Sequence, residues 1–375
     1  MNAEPASSFF ATAAKGTEPA LRDELREHRF RGVRADRGGV HFSGPPEEGW
    51  RACLVSRIAM RVLELAAEFE APDEEALYDG VRAVDWQAYL TPRHTLAIRA
   101  ACRSSHLTHT QYIAQKSKDA IVDQLRDRLG ERPSVDTEDP DVSIFVHLVK
   151  DRASLYLDLA GEPLHRRGYR VRAGEAPLKE TLAAAILRLS GWNREDPLLD
   201  PMCGSGTIPI EAALWARDMA PGLMRPRFGF ERWASHDGAA ARRAHELRES
   251  LRARARRDGP AISGSDIDPE AVSLARGFAR RAAVDLDIRR ADIAALDADR
   301  APRFLVTNPP YGERLPRDGK LLRDMGSAFA RLEGRTIAVL AGSREIAHAI
   351  PMRPARSLVL FNGAIECRLL VYEVP

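Results

Sequence analysis

Cysteine is scarce in this chain of 375 residues, and long apolar runs are absent. The four cysteines, Cys53, Cys102, Cys203 and Cys367, are scattered and form no CxxC pair, which excludes the usual spacing of zinc sites and disulfide frameworks. We therefore expect no metal and a reduced, cytoplasmic protein. No stretch approaches the roughly 20 apolar residues that span a bilayer, so we expect no membrane segment. The first residues lack a basic region followed by a long apolar run, so we expect no signal peptide.

A strong excess of either charge is also missing, because the formal net charge is only +2. Such a balance indicates a nucleic-acid partner only where the cations are clustered. Two clusters exist: residues 165–172, which include an aromatic side chain, and residues 242–257, which hold seven arginines and two glutamates. Either run could equally be a solvated face, so the clusters alone assign no function.

Length and composition predict two or three globular domains, and the chain divides into three zones. Residues 1–65 and 66–160 mix short alternating strands with helices, which is typical of small α+β units. Residues 161–375 alternate strands with helices, which predicts a doubly wound α/β sheet. The run 356–372, with an Asn-Gly pair at its centre, predicts a terminal β-hairpin.

The first chemical motif is an apolar strand that leads into a glycine-containing loop and then a helix. Glycine lets the backbone pass close to a ligand at the carboxyl end of a strand, where open α/β sheets bind cofactors. The spacing is GxG, without the third glycine of dinucleotide sites or the lysine of phosphate loops. A leading carboxylate instead suits the cationic aminoacyl end of S-adenosylmethionine, although a plain strand-turn-helix would look the same. The residues predicted to bind this cofactor here are Asp200, Pro201, Met202, Cys203, Gly204, Ser205, Gly206 and Thr207.

Acidic residues also follow two later strands. Asp266 is expected to accept hydrogen bonds from both ribose hydroxyls of the cofactor, with Ile267 beside it. Asp268 could equally be the N-cap of the next helix. Asp292, next to Ile293, is expected to accept the adenine amino hydrogen, and its alternative is a simple turn aspartate.

The most specific motif is Asn308-Pro309-Pro310-Tyr311, which follows the apolar strand 304–306. An exocyclic base amine is a weak nucleophile, because its lone pair is delocalised into the ring. The Asn308 side-chain oxygen and the Pro309 carbonyl can accept its two N–H groups and stabilise the positive charge that develops on nitrogen. The prolines fix the backbone, and Tyr311 offers a face on which an extruded base can stack. These four residues are predicted to be catalytic, with Asn308 also next to the cofactor.

Together these motifs resemble the THUMP-domain RNA guanine-N2 methyltransferases, which include a bacterial enzyme that acts on 23S rRNA. The resemblance covers essentially the whole chain. Besides the two motifs above, it is carried by three strings: Gln111-Tyr112 with Lys116-Ser117-Lys118-Asp119-Ala120-Ile121, Leu164-His165-Arg166-Arg167-Gly168-Tyr169-Arg170, and Pro177-Leu178-Lys179-Glu180-Thr181-Leu182-Ala183-Ala184.

The resemblance implies three domains: a ferredoxin-like segment over 1–65, a THUMP RNA-binding domain over 66–160, and a class I Rossmann-like methyltransferase domain over 161–375. It implies that Lys179, Thr181 and Leu182 line the cofactor pocket and that Glu211 lies behind the glycine loop. It also gives the cation clusters a role as contacts to RNA phosphates, which position RNA without reading its sequence. The residues expected to make them are Lys116, Lys118, Arg166, Arg167, Arg170 and Arg172.

The function expected from the resemblance is S-adenosylmethionine-dependent formation of N2-methylguanosine, with 23S rRNA as the favoured substrate. Some relatives carry a second, fused methyltransferase unit for 7-methylguanine, and we expect that second activity to be absent here. The alternatives are the same chemistry on tRNA, adenine-N6 methylation of DNA, and glutamine-N5 methylation of protein. A catalytically silent RNA-binding or assembly factor is a further alternative of a different class.

Overall fold

The computed structural model describes residues 6–170, 178–312 and 319–375. Its strands form two separate sheets, one in the N-terminal half and one in the C-terminal half. None of the helices in these three ranges is long and apolar enough to cross a membrane.

The N-terminal half alternates short strands with four helices. The strands are β1 (Ser7–Thr12), β2 (Arg31–Asp36), β3 (Gly39–Gly44), β4 (Arg61–Glu70), β5 (Thr95–Arg103), β6 (Ser134–Val135), β7 (Val142–Val149) and β8 (Arg152–Asp158), and the helices are α1 (Glu18–Glu27), α2 (Pro46–Val55), α3 (Glu74–Arg82) and α4 (Thr110–Leu129). Local sequence explains where several of these helices begin or end. Asp73 caps α3 by accepting from the Ala76 N–H, and Gly130 ends α4 in the left-handed region at φ 79°.

These strands make one sheet in the order β2-β3-β1-β4-β8-β7-β5-β6. Strand β4 pairs antiparallel with β1 along one edge and with β8 along the other, so the first two zones share a single sheet. The predicted boundary between residues 65 and 66 therefore falls inside β4. Strands β7 and β8 pair antiparallel, with Val149 opposite Arg152.

The C-terminal half continues with the remaining elements. The strands are β9 (Leu198–Asp200), β10 (Ile262–Asp266), β11 (Asp287–Arg290), β12 (Phe304–Thr307), β13 (Thr336–Ala341), β14 (Arg356–Asn362) and β15 (Ile365–Glu373), and the helices are α5 (Glu180–Ser190), α6 (Thr207–Ala216), α7 (Gly238–Ala253), α8 (Pro269–Arg281), α9 (Lys320–Ala330) and α10 (Arg344–Ala349). The buried strands β9, β12 and β13 are almost purely apolar, as a sheet covered by helices on both faces requires.

The second sheet has the order β11-β10-β9-β12-β13-β15-β14. The strands from β11 to β13 are parallel, and β15 pairs antiparallel with β13 and with β14. The order reverses at β9, and the carboxyl ends of its strands at such a point form the usual crevice for ligands. This topology confirms the predicted Rossmann-like α/β sheet with a terminal hairpin.

The segment between α6 and β10 belongs to the core of the N-terminal half. Trp50 of α2 stacks on Phe230 with ring centroids 5.1 Å apart and planes inclined by 5°. Buried alanines of α7, Ala240 and Ala244, belong to the same apolar cluster as Phe9 of β1. The two halves of the molecule are therefore joined by an apolar core as well as by the chain between them.

Candidate active site

The predicted cofactor loop lies at the carboxyl end of β9, where the strand order reverses. Gly204 and Gly206 have φ of 53° and 81°, a conformation that side chains other than glycine rarely adopt. A Cβ atom at Gly204 would meet nothing within 4 Å, whereas one at Gly206 would come 2.9 Å from Ala275 of α8. Gly206 thus allows close helix packing, and Gly204 leaves open space beside the loop.

Asp200 is buried at the start of this loop. Burial raises the pKa of its carboxyl from 3.8 to about 7, and interactions with the Thr307 hydroxyl and the Met202 N–H offset only part of that shift. Near neutral pH a carboxyl with this pKa is partly protonated, and a cationic partner would stabilise its ionised form. This fits the ammonium group of an amino acid.

Asp266 connects β10 to the glycine loop. Its Oδ2 accepts the Gly204 N–H at 2.8 Å, and its Oδ1 accepts the Asp268 N–H at 3.0 Å. Asp268 caps α8 by accepting from the Glu270 N–H, which is the alternative the sequence offered for it, and the ribose contact of Asp266 stays a prediction. Ile267 between them is 59% exposed, so its side chain is available to cover an apolar ring.

Asp292 caps a short helical turn by accepting the Ala294 N–H at 3.0 Å, and Ile293 is buried behind it. The geometry of a turn aspartate is therefore present, and the predicted adenine contact would use its remaining oxygen. Lys179 is exposed as the N-cap of α5, whereas Thr181 and Leu182 are buried in the first turn. Helix α5 packs against α6, and the Arg170 side chain bridges Glu180 at the start of α5 to Thr207 just after the glycine loop.

Asn308 directly follows the buried strand β12. Its Oδ1 is buried and, among the described residues, has no hydrogen-bond partner. Leaving such an acceptor unpaired costs about 1–3 kcal/mol, so a buried orphan of this kind indicates a ligand that supplies the donor. Pro309 is buried and Pro310 is partly buried, and together they fix the backbone next to that acceptor.

Tyr311 is held by two residues that sequence reasoning missed. Its hydroxyl accepts from Asn362 Nδ2 at 2.6 Å, and its ring packs on Gly342 just after β13. Asn362 was recognised only as part of a hairpin turn, and nothing in the local sequence marks Gly342. Residues 313–318, the continuation of the motif, lie outside the described residues.

The structure contradicts three predicted roles in or against the connector, the segment that follows β8 and includes residues 164–170. Arg167 is only 2% exposed, forms an ion pair with Glu211 at 3.4 Å, and donates to the Arg57 carbonyl, so it cannot contact a phosphate here. Glu211 is fully buried and also accepts from the Tyr169 hydroxyl, so its oxygens face the connector and not a cofactor. Arg170, only 12% exposed, binds Thr207 and Glu180 instead of lying free for RNA.

The other predicted RNA contacts are compatible with an exposed cationic surface and stay predictions. Arg166 is 63% exposed with a surface partner in Glu162. Lys116 lies over the Tyr78 ring at 5.4 Å, and Lys118 pairs with Asp119, both on the partly exposed side of α4. Arg172 lies outside the described residues.

Family models match the chain in three consecutive parts. They are described as RlmL ferredoxin-like domain over residues 8–63, THUMP domain over 71–158, and RMKL-like methyltransferase domain over 167–370. The predicted family and the predicted kinds of domain are thereby confirmed.

The chain is also similar to named relatives. It is 44% identical to a ribosomal RNA large subunit methyltransferase K/L of Syntrophotalea carbinolica and 45% identical to one of Methylococcus capsulatus. Each match covers 98% of this chain but 53% and 51% of the relative, so the chain spans about half the length of these curated proteins.

Solved structures match over their full length. SMU.472, described as a putative methyltransferase complexed with SAH, is 31% identical, has a TM-score of 0.87, and covers 100% of this chain and 99% of its own. A Listeria monocytogenes protein described as a predicted N6-adenine-specific DNA methylase is 29% identical with a TM-score of 0.88, over 99% and 97% of the two chains.

These matches agree with the site geometry: a glycine loop after β9 and an orphaned amide acceptor after the neighbouring parallel strand β12. The predictions of a methyltransferase fold and of S-adenosylmethionine as the cofactor of the family are confirmed. The chain belongs to the family of RMKL-like methyltransferases that carry a ferredoxin-like segment and a THUMP domain in front of the catalytic domain.

Proposed function

We propose that this protein is an S-adenosylmethionine-dependent RNA methyltransferase that forms N2-methylguanosine, with large-subunit rRNA as its substrate. The observation that carries the proposal is the buried, unpartnered Asn308 Oδ1 at the carboxyl end of β12. It lies in a motif whose chemistry suits an exocyclic amine, on a sheet that has the cofactor loop at its switch point.

The residues around the loop fit the cofactor. Asp200 offers a buried carboxylate for the ammonium group, Asp266 offers carboxylate oxygens for the ribose, and exposed Ile267 can cover the adenine. The open space beside Gly204 leaves room for the backbone to meet the ligand closely. S-adenosylmethionine, when bound there, supplies an electrophilic methyl group.

The chain's own residues position the amine. Asn308 Oδ1 and the Pro309 carbonyl accept the two N–H bonds, which localises the nitrogen lone pair and aims it along one direction. The same two acceptors stabilise the positive charge that the nitrogen acquires, and such preorganised dipoles act most strongly where water is excluded. Tyr311 stacks on the extruded base and keeps its plane fixed.

The choice of rRNA is supported by the relatives at 44% and 45% identity, which are named for that substrate. The THUMP match over 71–158 supports an RNA and not a free nucleotide. A protein that modifies ribosomal RNA works where ribosomes are made, so we place its action in the cytoplasm. DNA adenine methylation is the second candidate, because the Listeria relative bears that description.

Purified protein is incubated with labelled S-adenosylmethionine and, in separate reactions, with unmodified rRNA, tRNA and DNA. Digestion and mass spectrometry of the nucleosides identify the product. We expect N2-methylguanosine in rRNA only. N2-methylguanosine in tRNA alone would change the substrate, and N6-methyladenine in DNA would select the second candidate.

Asn308→Ala tests the site itself. We expect methyl transfer to fall below detection while binding of S-adenosylhomocysteine stays within about twofold, because the amide acts on the amine and not on the cofactor. Asn193→Ala, which removes an amide at an exposed turn, is the matched control and should retain full activity. Normal turnover by Asn308→Ala would overturn the mechanism.

A further inference from the structure

Arg170 joins the two helices that flank the proposed cofactor pocket. Its Nη2 donates to Thr207 Oγ1 at 2.5 Å, and its Nη1 lies 3.0 Å from Glu180 Oε1. Thr207 begins α6 directly after the glycine loop, and Glu180 begins α5 directly after Lys179. We propose that Arg170 is a positioning residue that fixes the spacing between these two helix starts and so shapes the cofactor pocket. This inference rests on the proposed function, because it assumes that the pocket binds S-adenosylmethionine.

Helix stability does not explain an arginine at this place. The N-terminus of a helix carries a partial positive charge and favours anions, and Arg170 lies at two such ends. The side chain is only 12% exposed, and its Nε is buried without a partner among the described residues. A buried ion pair contributes little net stability, but it fixes geometry when its hydrogen bonds are made. The arrangement therefore favours a role for Arg170 in fixing the distance between the starts of α5 and α6.

The rest of the connector holds the same face of α6. Glu211 lies four residues after Thr207, one helical turn further, and binds Arg167 and Tyr169. Arg167 also donates to the Arg57 carbonyl, and the Arg57 guanidinium donates to the Leu214 carbonyl in the last turn of α6 and to the Met219 carbonyl just beyond it. Helix α6 is thus anchored to the N-terminal half through Arg57 and Arg167, and Arg170 holds its first residue to the start of α5.

The expected consequence is specific to the cofactor. Without Arg170 the start of α6 can shift relative to the start of α5. The distance between Gly204 and Lys179, which lie next to these two helix starts, would then vary and the cofactor would bind less tightly. Loss of a charged hydrogen bond at such a point corresponds to about a tenfold change in affinity. RNA affinity should not change, because the guanidinium is turned inward.

The test uses the full chain and isothermal titration with S-adenosylhomocysteine, alongside RNA binding and thermal melting without ligand. For Arg170→Ala and Glu180→Gln we expect the Kd for S-adenosylhomocysteine to rise about tenfold, while the Kd for RNA stays within about twofold. Arg170→Lys, which retains the charge but not the fork, should recover part of the loss. The matched control is Arg188→Ala, which removes the ion pair with Glu27 at the other end of α5 and should leave the affinity unchanged.

Three results would overturn the inference. The first is unchanged S-adenosylhomocysteine affinity in Arg170→Ala and Glu180→Gln, with or without a lower melting temperature. The second is weakened RNA binding with normal cofactor binding, which would restore the phosphate contact predicted from the sequence. The third is an equal loss in Arg188→Ala. If Arg170→Ala does not fold, Arg170→Lys and Glu180→Gln decide. A wild-type protein that binds no S-adenosylhomocysteine would refute the proposed function itself, and that result is seen before any variant is made.

Discussion

Gly342 lies against one face of the Tyr311 ring. A Cβ atom at Gly342 would be 2.3 Å from Tyr311 Cγ and 2.5 Å from both Cδ atoms, so the backbone lies over the ring and not at its edge. The Asn362 side chain holds the Tyr311 hydroxyl from the terminal hairpin. The ring is therefore held on one face and at its tip, which fixes the plane along which a base would stack in its predicted role.

Gly342→Ala should displace the Tyr311 ring, because no Cβ atom fits at that distance. We expect kcat for methyl transfer to fall between about tenfold and a hundredfold, since small misplacements of a positioning group have effects of that size. S-adenosylhomocysteine binding, measured by calorimetry, should change little. Gly277→Ala is the control, because a Cβ atom there meets nothing within 4 Å and the site lies on α8. Equal activity of the two variants would show that ring position is unimportant.

Tyr311 variants separate stacking from hydrogen bonding. Tyr311→Phe keeps the ring and loses the bond from Asn362, worth about 1 kcal/mol, so it should keep activity within a few fold. Tyr311→Ala loses the stacking face, worth about 1–3 kcal/mol per base, so kcat/KM for RNA should fall about tenfold or more. Steady-state rates with RNA as the varied substrate measure both. If Tyr311→Phe were as impaired as Tyr311→Ala, the hydroxyl would be the essential group.

Cofactor affinity should depend on pH through Asp200. Burial places the pKa of this carboxyl at about 7, so it is ionised above that pH and protonated below it. Because a cationic ammonium group prefers the ionised form, the Kd for S-adenosylhomocysteine should rise as the pH falls from about 8 to about 6, approaching tenfold per unit below the pKa. Asp200→Asn should bind weakly at every pH and show no such slope. A slope that survives in Asp200→Asn would assign the titration to another group.

The contact between the two halves can be tested by denaturation. Trp50→Ala removes the ring stacked on Phe230, and truncation of a buried tryptophan costs about 3–5 kcal/mol of unfolding free energy. Leu274→Ala, at a side chain that is 41% exposed, should change stability by no more than about 0.5 kcal/mol. Urea unfolding followed by circular dichroism measures both. A Trp50→Ala protein as stable as the Leu274→Ala protein would contradict the joint core.

Motifs that depend on local sequence were predictable. The glycine loop after β9, the aspartate at the end of β10, the Asn-Pro-Pro-Tyr motif after β12 and the terminal hairpin occur where periodicity and turn residues indicate them. Strand β4 was missed, because the alternation of its apolar and polar residues is interrupted at Ala66-Ala67, where its register against β8 shifts. It is a strand because β1 and β8 pair with its two edges, and Glu64 is satisfied by the Ser7 hydroxyl at 2.8 Å.

The connector shows why charge density alone misassigns roles. Arg166 and Arg167 are neighbours in sequence, yet one is exposed at 63% and the other is buried at 2%. The partner that buries Arg167 is Glu211, 44 residues further along the chain. A run of cations does not reveal such a distant carboxylate, and the same limit hid the contact between Arg170 and Glu180.

Strand β4 also bears on how the protein and its proposed RNA substrate fit together, because it limits movement between the first two domains. It runs from Arg61 to Glu70 and is bonded on both edges, so the ferredoxin-like segment and the THUMP domain cannot rotate against each other without breaking a sheet. The joint core with the catalytic half limits rotation at the other junction. With rotation limited at both junctions, we expect the proposed RNA to supply part of the change in shape. RNA segments that are already unpaired would then bring a guanine to Asn308 most easily.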